Sequence, residues 1–322
     1  MQATLIYNPN AGSISQVSPD KLLETLEQAG YDPIYIPTLQ ENDLDDVLAQ
    51  VKDLVVVCGG DGSIRSAAIR LLGKNVRIAP VPMGTANNLC RMLGLNGKPV
   101  DILAGLADPV ERDIDIWQVS TPYGPDYFLE AMGIGSGADA MEKYNPEEGK
   151  SVRRGIQTML QTLKGYQPKF FHLNVDGQDF SGSYFLCEVM NTATVGNHFV
   201  LAPQARPDDG LFDLVLVHAN QRMSYLKFAK AVFTRTVGKL PEVSVCRGSR
   251  LEIAWRGFPL HLDGTVTAGL DGVDVIGNPA SNDEPEMLDV EKPFIRVERS
   301  PEKVHFFVPK MAVMEKYEPG VG

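Results

Sequence analysis

The residues best suited to chemistry are one aspartate set among glycines. In Val55-Val-Val-Cys-Gly-Gly-Asp-Gly-Ser63 a β-branched run passes into Gly59, Gly60 and Gly62 around Asp61, and helical spacing starts at once. Glycine lets backbone N–H groups reach an anion without interference from Cβ, and a helix N-terminus adds a favourable dipole. The pattern is neither G-x-G-x-x-G nor a Walker loop, because no Gly-Lys-Ser/Thr follows. A carboxylate in a phosphate site repels phosphate, so Asp61 must face a cation or a hydroxyl, or else serve as a helix cap. Asn8-Pro-Asn-Ala-Gly-Ser13 and Pro80-Val-Pro-Met-Gly-Thr-Ala-Asn-Asn88 are two further corners of small polar residues. In the latter, Gly84 and Thr85 offer an N–H and a hydroxyl, whereas a proline-bounded turn capped by Thr85 or Asn88 is the plainer account. Recurrence at three successive strand ends favours phosphate binding.

The elements that must hold these corners alternate in period. Thr4–Tyr7 is a short apolar run that ends at Asn8-Pro9. Ser18-Pro19-Asp20 supplies a cap, a first-turn proline and a first-turn acid. Leu22, Leu23, Leu26 and Ala29 then share one helix face, and Gly30 marks the stop. A strand at Ile34–Ile36, a helix over Leu44–Val51, the buried strand Leu54–Val57, a helix over Ser63–Leu72 and a strand at Val76–Val81 follow. Strand–helix alternation implies right-handed crossovers and a mostly parallel sheet, though not its strand order.

Beyond about residue 115 the texture becomes β-rich. Phe170–Val175, Tyr184–Met190, Leu211–Val217, Leu251–Trp255 and Pro259–Leu262 are separated by turns such as Asp176-Gly177. Helical stretches near 151–164 and 222–235 interrupt them, and residues 271–293 read as an extended acidic loop. Phe294–Val297 and Val304–Val308 either close this second domain or return to the first.

Composition narrows the function classes. The 322 residues include 43% hydrophobic and 22% charged side chains, as in a globular protein of about two domains. Thirty basic against forty-one acidic residues give a net charge of −11, which argues against electrostatic nucleic-acid binding. No apolar run approaches the ~18 residues of a spanning helix, and the first ten residues lack the pattern of an export signal. Cys58, Cys90, Cys187 and Cys246 are scattered, as buried reduced thiols would be, and point to the cytoplasm.

Taken in order, Asn8-Pro-x-Ala-Gly, Gly59-Gly-Asp-Gly62, Pro82-x-Gly-Thr-x-Asn87, Asn191, Leu201-Ala-Pro203, Asp208-Asp-Gly-Leu-Phe-Asp213 and Leu262-Asp-Gly264 resemble the diacylglycerol kinase catalytic family. This resemblance implies an α/β plus β architecture: a three-layer nucleotide-binding α/β domain and a C-terminal β-sandwich. Expected bounds are residues 1–118 plus about 298–322 for the first and 119–297 for the lipid-substrate domain, with the active site in a cleft between them. It also implies an ATP- and Mg²⁺-dependent kinase for a lipid hydroxyl. Asn8, Gly59, Gly60, Gly62, Gly84 and Thr85 would hold the ATP phosphates, Asp61 would face magnesium or the acceptor hydroxyl, and Asp263 would be the general base. Asp115 would join the metal network, and Arg206, Asp209 and Leu211 would form a structural magnesium site.

Two positions depart from the family pattern. Asp263-Gly-Thr265 stands where Asp-Gly-Glu is usual, and Asn87-Asn88 where Asn-Asp is common. Each removes a carboxylate, and Asp271 and Asp274 are the nearby acids in sequence. These departures keep open a kinase for a soluble hydroxyl compound and a non-catalytic nucleotide- or lipid-binding relative. Lys150, Arg153, Arg154, Lys164 and Lys169, with the basic residues of 222–250, suit peripheral contact with an anionic inner membrane face or simply a solvated basic surface. The expected partners are a lipid, such a surface and a second copy of the chain.

Overall fold

A computed structural model of the chain describes residues 1–7, 17–37, 43–121, 124–136, 138, 161–162, 166–196, 199–219, 225–254, 259–267 and 294–312. The chain forms two compact units. One spans Met1–Ile116 and takes up the chain again from Pro301; the other spans Trp117–Ser300.

The first unit begins β1 (Gln2–Tyr7), α1 (Pro19–Gln28), β2 (Asp32–Pro37), α2 (Asp43–Gln50), β3 (Leu54–Gly59), α3 (Asp61–Arg70) and β4 (Arg77–Pro82). Two short helices follow, α4 (Asn88–Met92) and α5 (Pro99–Gly105), and then the long strand β5 (Pro109–Thr121). Strands run in the order β2-β1-β3-β4, all parallel. Val55 and Val57 face one side of the sheet and Val56 the other, and all are buried, hence the unbroken β-branched run. Leu22 and Leu26 of α1 and Leu103 of α5 pack with Leu5, Val56 and Ala79 on one face. Ser18 caps α1 through a hydrogen bond from the Lys21 N–H (3.4 Å), and Gly30 follows at φ +91°. Because order reverses at β1, with β2 on one side and β3 on the other, the carboxyl ends of β1 and β3 flank the position where such sheets bind ligands.

The second unit is a β-sandwich. Its strands are β6 (Gly124–Phe128), β7 (Ala131–Gly135), β8 (Lys169–Phe171), β9 (Leu173–Val175), β10 (Gln178–Asp179), β11 (Gly182–Met190), β12 (Thr194–Val195), β13 (Phe199–Val200) and β14 (Phe212–His218). Helix α6 (Tyr225–Phe233) precedes β15 (Val243–Gly248), β16 (Arg250–Ala254), β17 (Leu260–Leu262) and β18 (Thr265–Thr267). One sheet runs β15-β14-β11-β7-β17-β18, antiparallel, with β8 on β11. Facing it are the β9–β16 pair and the β5–β6 hairpin, whose Trp117, Phe128, Leu173 and Ile253 meet Met132, Val189, Leu214 and Leu262 in a single core. The outer face of the longer sheet is covered by α6 through Phe228, Ala231 and Val232.

The final strand, β19 (Phe294–Pro309), resolves the question left by its two apolar runs. Phe294–Glu298 pairs with β16 in the second unit, while Phe306 pairs in parallel with Ile78 in the first. Helix α3 starts at Asp61, two residues before the sequence expectation, because Gly60 takes the cap position. His172 breaks Phe170–Val175 into two strands. Among the helical and loop expectations, most of 151–164, Trp255 and all of 271–293 lie outside the described residues. Cys58, Cys90 and Cys187 are buried free thiols and Cys246 is half-buried.

Candidate active site

Two of the three glycine corners are described, and they touch. A Cβ built on Gly84 would lie 2.6 Å from the Gly60 Cα, and one on Gly60 would lie 3.2 Å from the Gly84 Cα. At Gly84 only glycine permits this approach, since the obstacle is backbone, and at Gly60 a side chain would fit only tightly. The second corner is also closed on itself: the Gly84 N–H donates to Asn87 Oδ1 (2.8 Å) and Asn87 Nδ2 donates to the Gly84 carbonyl (2.9 Å). Asn87 takes a left-handed backbone, φ 53°, a conformation asparagine tolerates better than most residues. Thr85 is left exposed at the tip, as is Gly62, around whose Cβ position there is open space. Asn8, of the third corner, lies outside the described residues.

Asp61 joins the two corners. Its Oδ1 accepts the Leu89 N–H at 3.0 Å, and the amides of Asn87 and Asn88 also bond to the carboxylate. The cap it provides therefore serves α4, across the corner, and not only its own helix. Burial pushes the Asp61 carboxyl above its ordinary value, against the downward pull of those N–H donors. Asn88, in place of the usual aspartate, is buried in the first turn of α4, where a second carboxylate would sit beside a desolvated first one.

In the second unit, Asp263 and Gly264 form the two-residue turn between β17 and β18, both left-handed at φ 49° and 81°. The carboxylate accepts three backbone N–H groups: Leu129 on Oδ2 (2.8 Å), Glu130 on Oδ1 (2.7 Å) and Ala131 on Oδ1 (3.0 Å). The Asp263 N–H in turn donates to the Ala131 carbonyl (2.9 Å). Asn191 grips the same segment, with Nδ2 donating to the Leu129 carbonyl (2.7 Å) and Oδ1 accepting from Trp117 Nε1 (2.9 Å). Nothing in the sequence marks 129–131 as the partner of residues 62 and 132 positions later; only the strand pairing reveals it. Thr265, which replaces the usual glutamate, is exposed. Asp271 and Asp274 lie outside the described residues.

The carboxylates among the remaining expected metal ligands, Asp115 and Asp209, are paired with cations of the protein itself. Asp115 is buried and paired with Lys303 Nζ at 3.3 Å. Next to it on the same strands, His305 Nδ1 meets Asp113 Oδ1 at 2.8 Å. In the Arg206–Leu211 loop, Asp209 Oδ1 accepts the Leu211 N–H (3.1 Å) and Oδ2 pairs with the Arg247 guanidinium. Arg247 also reaches Asp213, directly opposite it in the β14–β15 ladder, at 3.7 Å. Burial raises the Asp213 carboxyl to about 6, with Asp209 pushing the same way and Arg247 pulling down. Charge at this loop is thus balanced by the Arg247 guanidinium, which lies against the carboxylate that a magnesium ion would use.

Comparison with known proteins is consistent over most of the chain. Residues 2–119 match the model of the diacylglycerol kinase catalytic domain, and residues 133–290 match that of the YegS C-terminal NAD kinase beta sandwich-like domain. The diacylglycerol kinase of Bacillus subtilis (strain 168) is 28% identical over 288 residues, covering 84% of this chain and 92% of that protein. That of Mycobacterium tuberculosis (strain ATCC 25618 / H37Rv) is 25% identical over 279 residues, covering 84% and 90%. The crystal structure of a diacylglycerol kinase from Bacillus anthracis str. Sterne superposes with a TM-score of 0.65 at 17% identity, over 97% of this chain and 98% of that one. A second chain from the same organism reaches 0.72 at 18% identity, over 97% and 96%. These structures share the fold.

Proposed function

Because the chain belongs to the diacylglycerol kinase catalytic family, and is thus an ATP-dependent lipid kinase with an alcohol acceptor, we propose that its acceptor is the free hydroxyl of diacylglycerol and that Asp61 and Asp263 carry the reaction. The observation that supports this most is the contact of Gly60 with Gly84, which sets two glycine corners side by side at the carboxyl edge of a parallel sheet, next to the N-terminus of α3. Gly59, Gly60, Gly62 and Thr85, together with Asn8, would bind the ATP phosphates; the Gly84 N–H is spent on Asn87, so Gly84 would contribute the close approach of the corners and not the expected N–H. Asp61 would hold magnesium, which when bound neutralises charge on the transferring phosphoryl group. Asp263, fixed by three N–H groups, would orient the acceptor hydroxyl and receive its proton. Since phosphoryl transfer is mostly positioning, rigidly held carboxylates matter more than basic ones.

Labelled ATP with Mg²⁺ and vesicles of diacylglycerol, sphingosine or a soluble diol tests the acceptor directly. Label should enter phosphatidic acid and be lost in the Asp61→Asn protein. Nucleotide binding without transfer to any lipid would overturn the reading in favour of a binding protein, and transfer to the diol in favour of a soluble-substrate kinase.

Among the described residues no helix is long and apolar enough to cross a membrane. Contact with the bilayer would instead be peripheral and electrostatic, through exposed Lys227, Lys230, Arg235 and Lys239, because the apolar side of α6 is spent on the sheet. At about 1 kcal/mol per basic residue such binding is salt-sensitive. Flotation with anionic but not neutral liposomes, abolished by salt, is the expected result.

A further inference from the structure

A fully buried carboxyl–imidazole pair lies beneath the hairpin that carries Asp263. Gly133, in the middle of β7, is flanked in register by Glu188 of β11 and His261 of β17. Above the glycine, His261 Nε2 and Glu188 Oε1 approach to 2.8 Å, with side chains 0% and 2% exposed. A Cβ on residue 133 would fall 2.1 Å from Glu188 Oε2 and 2.4 Å from His261 Nε2, so the pair occupies the space a side chain would fill. The two atoms are poorly aligned for a hydrogen bond, and His261 Nδ1 has no hydrogen-bond partner. The contact is made on a face shared with the apolar Ala131, Leu186, Met190 and Val215.

Such a pair is a poor stabiliser. Burying polar groups of this kind is costly, and an apolar pair of similar size commonly serves stability as well or better. What a buried polar pair does supply is register. Strand β17 has only three residues, and a one-residue slip would turn each of its side chains to the other face. With His261 opposite Gly133, Leu262 stands opposite Met132, and the next residue is Asp263, whose carboxylate meets the N–H groups of 129–131. A one-residue slip would set His261 opposite Met132 or Ile134, and a two-residue shift, opposite Ala131 or Gly135, would take it out of line with Glu188.

We propose that Glu188 and His261 are positioning residues for Asp263: the pair over Gly133 locks β17 on β7 in the one register that seats the Asp263 carboxylate on Leu129, Glu130 and Ala131. The functional half of this inference rests on the role given to Asp263 above. The double variant Glu188→Leu/His261→Leu is the decisive protein, since the apolar replacement is expected to melt no lower than the parent. In ¹⁵N-labelled, deuterated protein the amide protons of 129, 130 and 131 should lose the downfield shifts of carboxylate-bonded N–H groups. Turnover should fall about a hundredfold at saturating ATP, as for a displaced catalytic group, with the KM for ATP unchanged. Glu188→Gln, which keeps the shape and an oxygen toward His261, should retain both the shifts and turnover. A double variant with unaltered amide shifts, or a glutamine variant as impaired as the double one, overturns the proposal. Full turnover in Asp263→Asn would instead refute the catalytic reading of Asp263, and the amide shifts would still decide whether the pair sets the register.

Discussion

Asp61 and Asp263 solve one problem in two ways. Each carboxylate is immobilised by the backbone N–H groups of a neighbouring segment: 87–89 for Asp61 and 129–131 for Asp263. For Asp61 the donors are the free N–H groups at the start of a helix, which any helix must present and which lie 26 to 28 residues ahead. For Asp263 they belong to a strand entrance more than 130 residues earlier, and the acceptor is lifted to them by a left-handed turn. The α/β unit thus builds its carboxylate site from local chain order, the sandwich from long-range register. The stability of the fold should tolerate loss of charge at the first but not at the second.

The largest effect expected is on turnover, from Asp61→Asn. Asparagine keeps an oxygen acceptor for the Leu89 N–H but loses the charge, so turnover should drop about a thousandfold. Stability should move the other way. The folded-state value of Asp61 is raised above its unfolded 3.8, so the folded state binds the proton more tightly and stability falls as pH rises from about 4 through the raised value. Removing the carboxylate removes that loss. Melting curves across pH should show the variant at least as stable as the parent at neutral pH, converging with it in acid; a large drop in Tm would mean that Asp61 is chiefly a structural cap.

Asp263→Ala should reverse the balance between rate and stability. Three N–H groups lose a charged acceptor, each worth about 1.5 kcal/mol, and alanine does not favour φ 49°. A loss of about 4 kcal/mol by urea denaturation is expected. Asp263→Asn, with the left-handed backbone still tolerated, should recover roughly half of it. If alanine at 263 costs no more than alanine at 61, the distinction between local and long-range anchoring fails.

Gly84→Ala probes the corner without touching a charge. Its Cβ would meet the Gly60 Cα at 2.6 Å and Asn87 Oδ1 at 2.8 Å, and the first obstacle is backbone. Overpacking of this kind costs about 1–3 kcal/mol. The informative readout is the rise in Tm on adding ATP, which should shrink far more than in Gly62→Ala, whose Cβ enters open space. Equal losses in the two variants would show that the approach of the corners is irrelevant to the nucleotide.

The contrast also explains what could be read from the chain. The β1–β4 alternation, the Ser18 cap, the Gly30 stop and the two described glycine corners are local signals, and the structure has them within one or two residues. That Asp61 would cap α4 was not legible, because it depends on β3 and β4 being neighbours. Asp176-Gly177 and Asp263-Gly264 are both turns with two left-handed residues, one between outer strands and one carrying a candidate catalytic group; the dipeptide does not say which. Arg247 reads as one more basic residue until β15 is laid beside β14. Glu188 and His261 carry no signal at all, since the glycine that accommodates them sits on a third strand.

The smallest effect should come from restoring the acid that the family pattern leads one to expect. Thr265 stands first in β18, paired with Leu262, and its side chain is exposed. A glutamate there would be solvated and would add at most a screened charge near Asp263, worth a few tenths of a kcal/mol. Asp263 is already oriented by three N–H groups and by the register of β17, so a second carboxylate has little left to orient. Thr265→Glu should therefore change turnover by less than about threefold and Tm by no more than about 1 °C. A gain of tenfold or more would show that anchoring through 129–131 is not enough. The sandwich carboxylate would then need a charged neighbour, which the corner carboxylate replaces with helix N–H groups.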